Sequence, residues 1–153
     1  MGDKAISLWF PCVPPRTTAQ MKRLVIRDGK PVFFKGRKVS EAETMFALML
    51  LPHIPPAPLE GPLKLTVVAT WPHPKKASKW LRANMMPKTT RPDLDNWVKG
   101  LIDQLIALKF IHDDSQVCEL HAEKYVGPED SAGISLTLEP FTIGTHYHPE
   151  AFG

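Results

Sequence analysis

Apolar and polar positions alternate with a period that changes several times along the chain, and each change predicts an element. Between Ala5 and Phe10 the residues Ile6, Leu8 and Phe10 share one side of a period-two pattern, which predicts a first strand that Pro11 stops. Leu24 to Arg27 and Lys30 to Phe34 flank Asp28-Gly29, a pair that accepts the positive φ angles of a type I′ turn, so a hairpin is expected. Ser40-Glu41-Ala42-Glu43 has the form of a capping box, and Ala42, Met45, Phe46, Met49 and Leu50 then recur at helical steps until Pro52. Pro52 to Pro62 also holds Pro55, Pro56 and Pro58 and predicts a stiff extended connector. Leu63 to Trp71, apolar on both faces, reads as a central strand.

The second half continues in the same way. Leu94, Trp97, Val98, Leu101, Ile102, Leu105, Ile106 and Leu108 recur at three- and four-residue steps and predict a helix from Leu94 to Leu108 with one buried face. Gln116 to Val126 reads as a strand in which Cys118 alternates with Leu120 and Ala122, which predicts a buried cysteine. A turn from Gly127 to Gly133 and a last strand, Ile134 to Glu139, complete the pattern. The order predicts one small α/β (α+β) domain over residues 1–139, a mixed sheet carrying two main helices, followed by a C-terminal tail over 140–153.

Polar chemistry gathers around the second helix. Arg91-Pro92-Asp93-Leu94-Asp95-Asn96-Trp97-Val98-Lys99 leads into it, and His112-Asp113-Asp114-Ser115-Gln116 follows it. Asp95, Lys99 and Asp103 are spaced i, i+4, i+8 and lie on one face, where ordinary helix ion pairs are one use for them. A helix cap accounts for one of Asp93 and Asp95, and a solvated turn accounts for an Asp-Asp pair. These uses leave the other acid, the adjacent lysine and the density of carboxylates unexplained. Mg²⁺, a hard cation that keeps several waters and takes one or two carboxylates plus substrate phosphates, suits such a set. Asp113 and Asp114 return to the start of the motif only if the strand after them runs antiparallel beside it or in an adjacent sheet.

The run Arg-Pro-Asp-Leu-Asp-Asn-x-x-Lys, an amphipathic helix containing Asp103, and then Asp-Asp-Ser-Gln-Val resemble the RusA family of Holliday junction resolvases of bacteria and their phages. The likeness covers roughly Lys4 to Glu139. It implies a RusA-like fold and three aspartates that bind Mg²⁺, with Mn²⁺ as an alternative, beside a lysine needed for cleavage. The matching positions are Asp93, Asp95, Asp114 and Lys99, with Asp113 as an accessory ligand. Pro14-Pro15-Arg16 opens a loop of the kind this family places near its active site. The products implied are nicks with a 5′ phosphate and a 3′ hydroxyl. A four-way junction needs two such nicks related by its approximate two-fold axis, and one chain carries one acidic motif, so a symmetric homodimer is expected. The Leu94–Leu108 helix, its stripe widened by Trp97 and Leu108, is the candidate interface.

Charge adds a nucleic-acid partner. The 153 residues carry a formal charge of +3, and Lys75, Lys76, Lys79, Arg82, Lys88 and Arg91 lie between Pro72 and Pro92 with no acid among them. With Arg16 they are the candidate DNA contacts, and Trp80 offers a surface for base stacking. Cys12 and Cys118 have neither metal spacing nor a disulfide framework. His146 and His148 lack a third ligand nearby and read as part of an exposed terminus, and His112 reads as a solvated loop residue. No signal peptide or bilayer-length apolar run is visible, so the expected location is the cytoplasm of a bacterial or phage-infected cell, without membrane contact. Two other classes compete with the nuclease: a non-catalytic branched-DNA-binding protein descended from a resolvase, and a glycosyltransferase using Asp-x-Asp. The intact acids and lysine argue against the first, and the short chain leaves the second little room for donor and acceptor sites. The Pro-rich connector, long basic loop and tail depart from the smallest family members and bear on substrate preference.

Overall fold

A computed structural model describes residues 5–16, 22–35, 37–144 and 150. His146 and His148 lie outside the described residues. The elements in chain order are β1 (Ile6–Pro11), β2 (Lys22–Arg27), β3 (Lys30–Lys35), α1 (Arg37–Leu50), β4 (Leu63–Pro72), α2 (Lys79–Arg82), β5 (Met86–Pro87), α3 (Leu94–Ala107), β6 (Val117–Gly127) and β7 (Gly133–Pro140). The main sheet has the order β1-β7-β4-β6-β5, while β2 and β3 form a separate two-stranded sheet. Among the described strands β4 and β6 pair in parallel and the other pairs of this sheet are antiparallel, so the sheet is mixed, as the pattern of elements predicts.

The predicted hairpin forms with Asp28 at φ 52° and Gly29 at φ 74°, the two positive angles a type I′ turn requires. Strand β4 is central, as expected. Its Leu63, Leu65, Val67, Ala69 and Trp71 are buried, whereas the intervening Lys64, Thr66 and Val68 are half-buried. The buried set faces α1 and α3, which lie against one another: the rings of Phe46 and Trp97 meet edge-on at 5.5 Å, and those of Trp71 and Trp97 at 5.7 Å. Opposite them the sheet is polar, with Ser7 Oγ 3.2 Å from Thr137 Oγ1 and Lys64 3.3 Å from Glu119.

Three expectations change. The helix α1 starts at Arg37, so Ser40 is inside it and is not its cap. Arg37 and Lys38 are good helix formers, and propensity carries the helix past the box toward the N-terminus. The Pro-rich connector is not uniformly extended: Leu51–His53 is a 3-10 turn, and buried Leu59 bridges to Ile111. Cys118 is exposed rather than buried, because β6 shows a register irregularity against β4 at that point and, among the described residues, β5 covers β6 only at Tyr125 and Val126. Cys12 is half-buried beside Met49, and that burial raises its thiol above the ordinary range.

Helix α3 ends one residue before the expected position. Lys109 takes φ 66°, and Phe110 N–H donates to Leu105 O at 2.9 Å while Lys109 N–H donates to Ile106 O at 3.1 Å. This is a Schellman ending with a lysine where glycine is usual. No helix among the described residues is long and apolar enough to cross a membrane.

Candidate active site

Asp93 is the N-cap residue of α3, with extended backbone, yet its side chain makes no capping hydrogen bond. The ordinary use of an aspartate at this place is therefore not taken up, and its carboxylate is left for other work. Asp95 is exposed in the first turn, where the positive end of the helix dipole favours both it and an incoming phosphate. Lys99 is exposed one turn further on, 3.9 Å from Asp103 Oδ1. Two carboxylates two residues apart, a lysine and a helix N-terminus thus share one exposed edge of the molecule.

A lysine absent from the sequence expectations positions that edge. Lys124 Nζ on β6 donates to Thr90 O at 2.7 Å and to Pro92 O at 2.8 Å, tying the segment with the cis Arg91-Pro92 peptide to the sheet just before Asp93. The only sequence signal was a lysine in an otherwise strand-like run. From the other side Trp71 Nε1 donates to Pro14 O and Trp97 Nε1 to Pro15 O, each at 2.8 Å, so the two buried indoles hold the Pro-Pro-Arg loop against the core. Trp97→Phe removes one of these donors and part of a buried ring, leaving the Pro15 carbonyl short of its partner. A loss of about 1–3 kcal/mol is expected, checked by denaturant unfolding.

The loop carries Arg16 to Lys88. Burial is the main cause of a lowered Lys88 pKa, and the charges of Arg16 and Lys124 lower it further, which places the three cations together. Lys88 Nζ also lies 5.4 Å from the centroid of the Trp71 ring and donates to Thr90 Oγ1 at 2.9 Å. Lys75, Lys79 and Arg82 line a separate cleft with Pro72, His73, Ala83, Gly127 and Glu129. Lys76, Arg91 and Trp80 are exposed, Trp80 at 69%. The predicted basic residues therefore fall into a cluster beside the acidic helix start and a cleft around Pro72 and Gly127, at the same, C-terminal end of β4.

The second acidic pair is placed elsewhere. Asp113 precedes a 3-10 turn, Asp114–Gln116, as its cap residue: Ser115 Oγ donates to its carboxylate, the Gln116 backbone N–H donates to its main-chain carbonyl at 3.2 Å, and Gln116 Oε1 accepts from its N–H at 3.1 Å. The Ser115 hydroxyl is the chief reason its pKa is lowered. His112 Nε2 pairs with Glu60 Oε1 at 2.8 Å. Gln116 Nε2 donates to Leu59 O and Gly61 O, anchoring the turn near the start of β4. Lys124, by contrast, holds the start of α3 near the end of β4, opposite Ala69. Asp93 and Asp95 thus sit at one end of α3 and Asp114 at the other. Among the described residues no group of three His, Cys, Asp or Glu side chains is disposed to hold a metal ion. Asp93 and Asp95 still fit a hard cation of the Mg²⁺ kind, because oxygen donors on an open edge leave room for water and phosphate.

The family model of endodeoxyribonuclease RusA matches residues 13–139. A protein of Bacillus subtilis (strain 168), YqaN, called uncharacterized, is 33% identical over 117 residues, 72% of this chain and 82% of the relative. The crossover junction endodeoxyribonuclease rusA of Lactococcus phage r1t is 31% identical over 121 residues, 79% of this chain and 88% of the phage protein. On the family match over most of its length and the likeness to the phage enzyme, the chain belongs to the RusA family and is an endodeoxyribonuclease.

Proposed function

We propose that this endodeoxyribonuclease resolves Holliday junctions or related branched DNA by paired symmetric nicks, acting as a homodimer and depending on Mg²⁺ or Mn²⁺, in DNA recombination and repair. The observation that carries this reading is the unspent carboxylate of Asp93 beside Asp95, next to the Arg16, Lys88 and Lys124 cations. DNA phosphate enters where cations meet a helix N-terminus. Arg16 and Lys88 draw the backbone in, and Lys124, through the Pro92 carbonyl, keeps Asp93 and Asp95 presented to it. Asp93 and Asp95 are the metal ligands of this reading that one chain brings together; Asp114, at the other end of α3, joins them from the second copy of the homodimer, with Asp113 in an accessory place because its carboxylate already accepts from Ser115. A divalent ion, when bound, neutralises charge on the scissile phosphate and makes a bound water more acidic. Lys99 orients the attacking water or stabilises the charge that builds on phosphate oxygen. The proposed location is the cytoplasm of a bacterial or phage-infected cell.

A labelled four-way junction incubated with and without Mg²⁺ tests the reading directly. Paired nicks with 5′ phosphate ends on the junction, dependent on the metal and far slower on linear duplex, are the expected result. Tight junction binding with no cleavage in Mg²⁺ or Mn²⁺ would replace the nuclease by a branched-DNA-binding protein.

A further inference from the structure

We infer that the arm between β4 and β5, residues 73–85, carries a binding site for unpaired DNA, in which Trp80 stacks on a base while Lys75, Lys79 and Arg82 hold phosphates of the same strand. The inference goes beyond the proposed junction cleavage by giving this arm the recognition of single-stranded nucleotides, and its test needs no cleavage.

The indole comes first. Trp71 and Trp97 are buried in the core, which also removes Trp97 from the dimer contact expected of α3. Trp9 is exposed in part, but its ring lies where a side chain on Gly133 would stand, so it packs on the sheet. Trp80 is the most exposed large apolar side chain among the described residues. An indole left in water forgoes a large burial term, which a flat apolar partner would restore. Exposure alone assigns nothing; the way the arm is built does.

The arm is braced to hold this side chain out. Ser78 Oγ caps α2 by accepting from Leu81 N–H at 3.2 Å, and Leu81, unlike its neighbours on the helix, is half-buried. Asn84 Nδ2 donates to Trp80 O at 2.7 Å, and His73 Nε2 donates to Asn84 O at 2.7 Å. At the base of the arm His73 N–H donates to Gly127 O at 3.1 Å, and β5 pairs with β6 at Val126 and Tyr125. Both ends are thus tied to the sheet. A base that stacks on Trp80 then orders little further backbone, which lowers the entropic cost of binding.

Charge selects nucleic acid as the occupant. Lys79 and Arg82, three residues apart on one side of α2, line with Lys75 a cleft of about 290 Å³ that holds a single acid, Glu129. Trp80 lies between the two in sequence and flanks that cleft. Cations that follow a backbone beside an aromatic platform are the combination that binds single strands. A duplex cannot use both parts, because its base faces are stacked on one another and it offers phosphates and groove edges alone. At a branch point the stack is interrupted and a base face is free. The arm returns through β5 to the segment that Lys124 holds by Thr90 O and Pro92 O just before Asp93, so a nucleotide on Trp80 lies at the acidic end of α3. The cations therefore grip any DNA, and the indole separates branched from linear.

Equilibrium binding in EDTA, with the whole chain, tests the site. The probes are a labelled thymidine oligonucleotide of about a dozen residues, a linear duplex and a four-way junction. Wild-type protein should bind the oligonucleotide with quenching of indole fluorescence, and Trp80→Phe should bind it with most of that quench gone. Trp80→Ala, with an unchanged circular dichroism spectrum, should weaken oligonucleotide and junction binding about tenfold or more. Its duplex affinity should change less than about twofold and its salt slope should stay as in wild type, because no phosphate contact is lost. Trp80→Phe should stay within about threefold of wild type, whereas Trp80→Leu, apolar without a π face, should behave as the alanine variant. No binding of the oligonucleotide, equal losses on duplex and oligonucleotide, or recovery by leucine overturns the stacking site. A Trp80→Ala protein that passes from dimer to monomer in sedimentation assigns the indole to a subunit contact and overturns it too. Protein that binds the oligonucleotide through Trp80 yet cuts no junction in Mg²⁺ or Mn²⁺ keeps the single-strand site and removes the nuclease reading instead.

Discussion

Asp95→Asn lowers metal-dependent junction cleavage on the order of a thousandfold while junction binding persists or tightens. Divalent-ion stabilisation of charge on phosphate supplies several kcal/mol, and about 1.4 kcal/mol is a factor of ten in rate. The side chain is exposed in the first turn of α3, so the amide fits without repacking, and the stability change is within about 0.5 kcal/mol. Binding is spared because removing a negative charge lessens repulsion of the DNA backbone. Single-turnover cleavage and a filter or gel binding curve on the same preparation check the two halves together. Near-wild-type cleavage would remove Asp95 from the metal ligands. Lys99→Ala follows the same pattern if the lysine acts on the reacting phosphate, whereas a large loss of affinity would assign it to DNA grip.

Much of this arrangement was legible before any coordinates. Period-two and helical patterns locate β1, β4, α3 and β7 to within a residue or two, because each buries one face and local sequence records that face, and the Asp28-Gly29 turn locates the hairpin. The acidic motif was legible as letters and spacing. Its placement was not, because which end of α3 faces which end of β6 depends on the parallel pairing of β4 and β6, a contact between segments far apart in sequence. Burial of Cys118 was misread for a related reason. Alternation shows which face a strand residue points to, and whether anything covers that face depends on the reach of β5 and α3. The Lys124 clamp was invisible in the same way, since its carbonyl partners lie on a loop rather than in a motif.

Replacing Lys75, Lys79 and Arg82 together by alanine weakens binding to junction and duplex DNA alike. These side chains line one cleft with Pro72, His73, Ala83 and a single acid, Glu129, so the three cations leave it net positive rather than scattering their charge. Each phosphate contact contributes about 0.9 to the slope of log affinity against log salt, so losing three lowers that slope by about 2.7. At roughly 1 kcal/mol per charged contact, the affinity at low salt falls about a hundredfold. Lys88 is unsuited to the same experiment, because it packs over Trp71 and bonds to Thr90, and its removal would disturb the segment leading to Asp93. The cleft residues carry no such structural duty: Lys79 and Arg82 are exposed on the short α2, whose cap is Ser78, and Lys75 is exposed on the loop before it. Their removal therefore leaves the thermal midpoint within a few degrees of wild type. Cleavage at saturating enzyme should also survive, since the acids and Lys99 are untouched. Equilibrium binding from 50 to 300 mM salt, about the range over which counterion release is readily resolved, decides the matter. A triple variant with an unchanged slope would mean that the cleft points away from DNA and that the Arg16, Lys88 and Lys124 cluster carries the phosphate contacts alone.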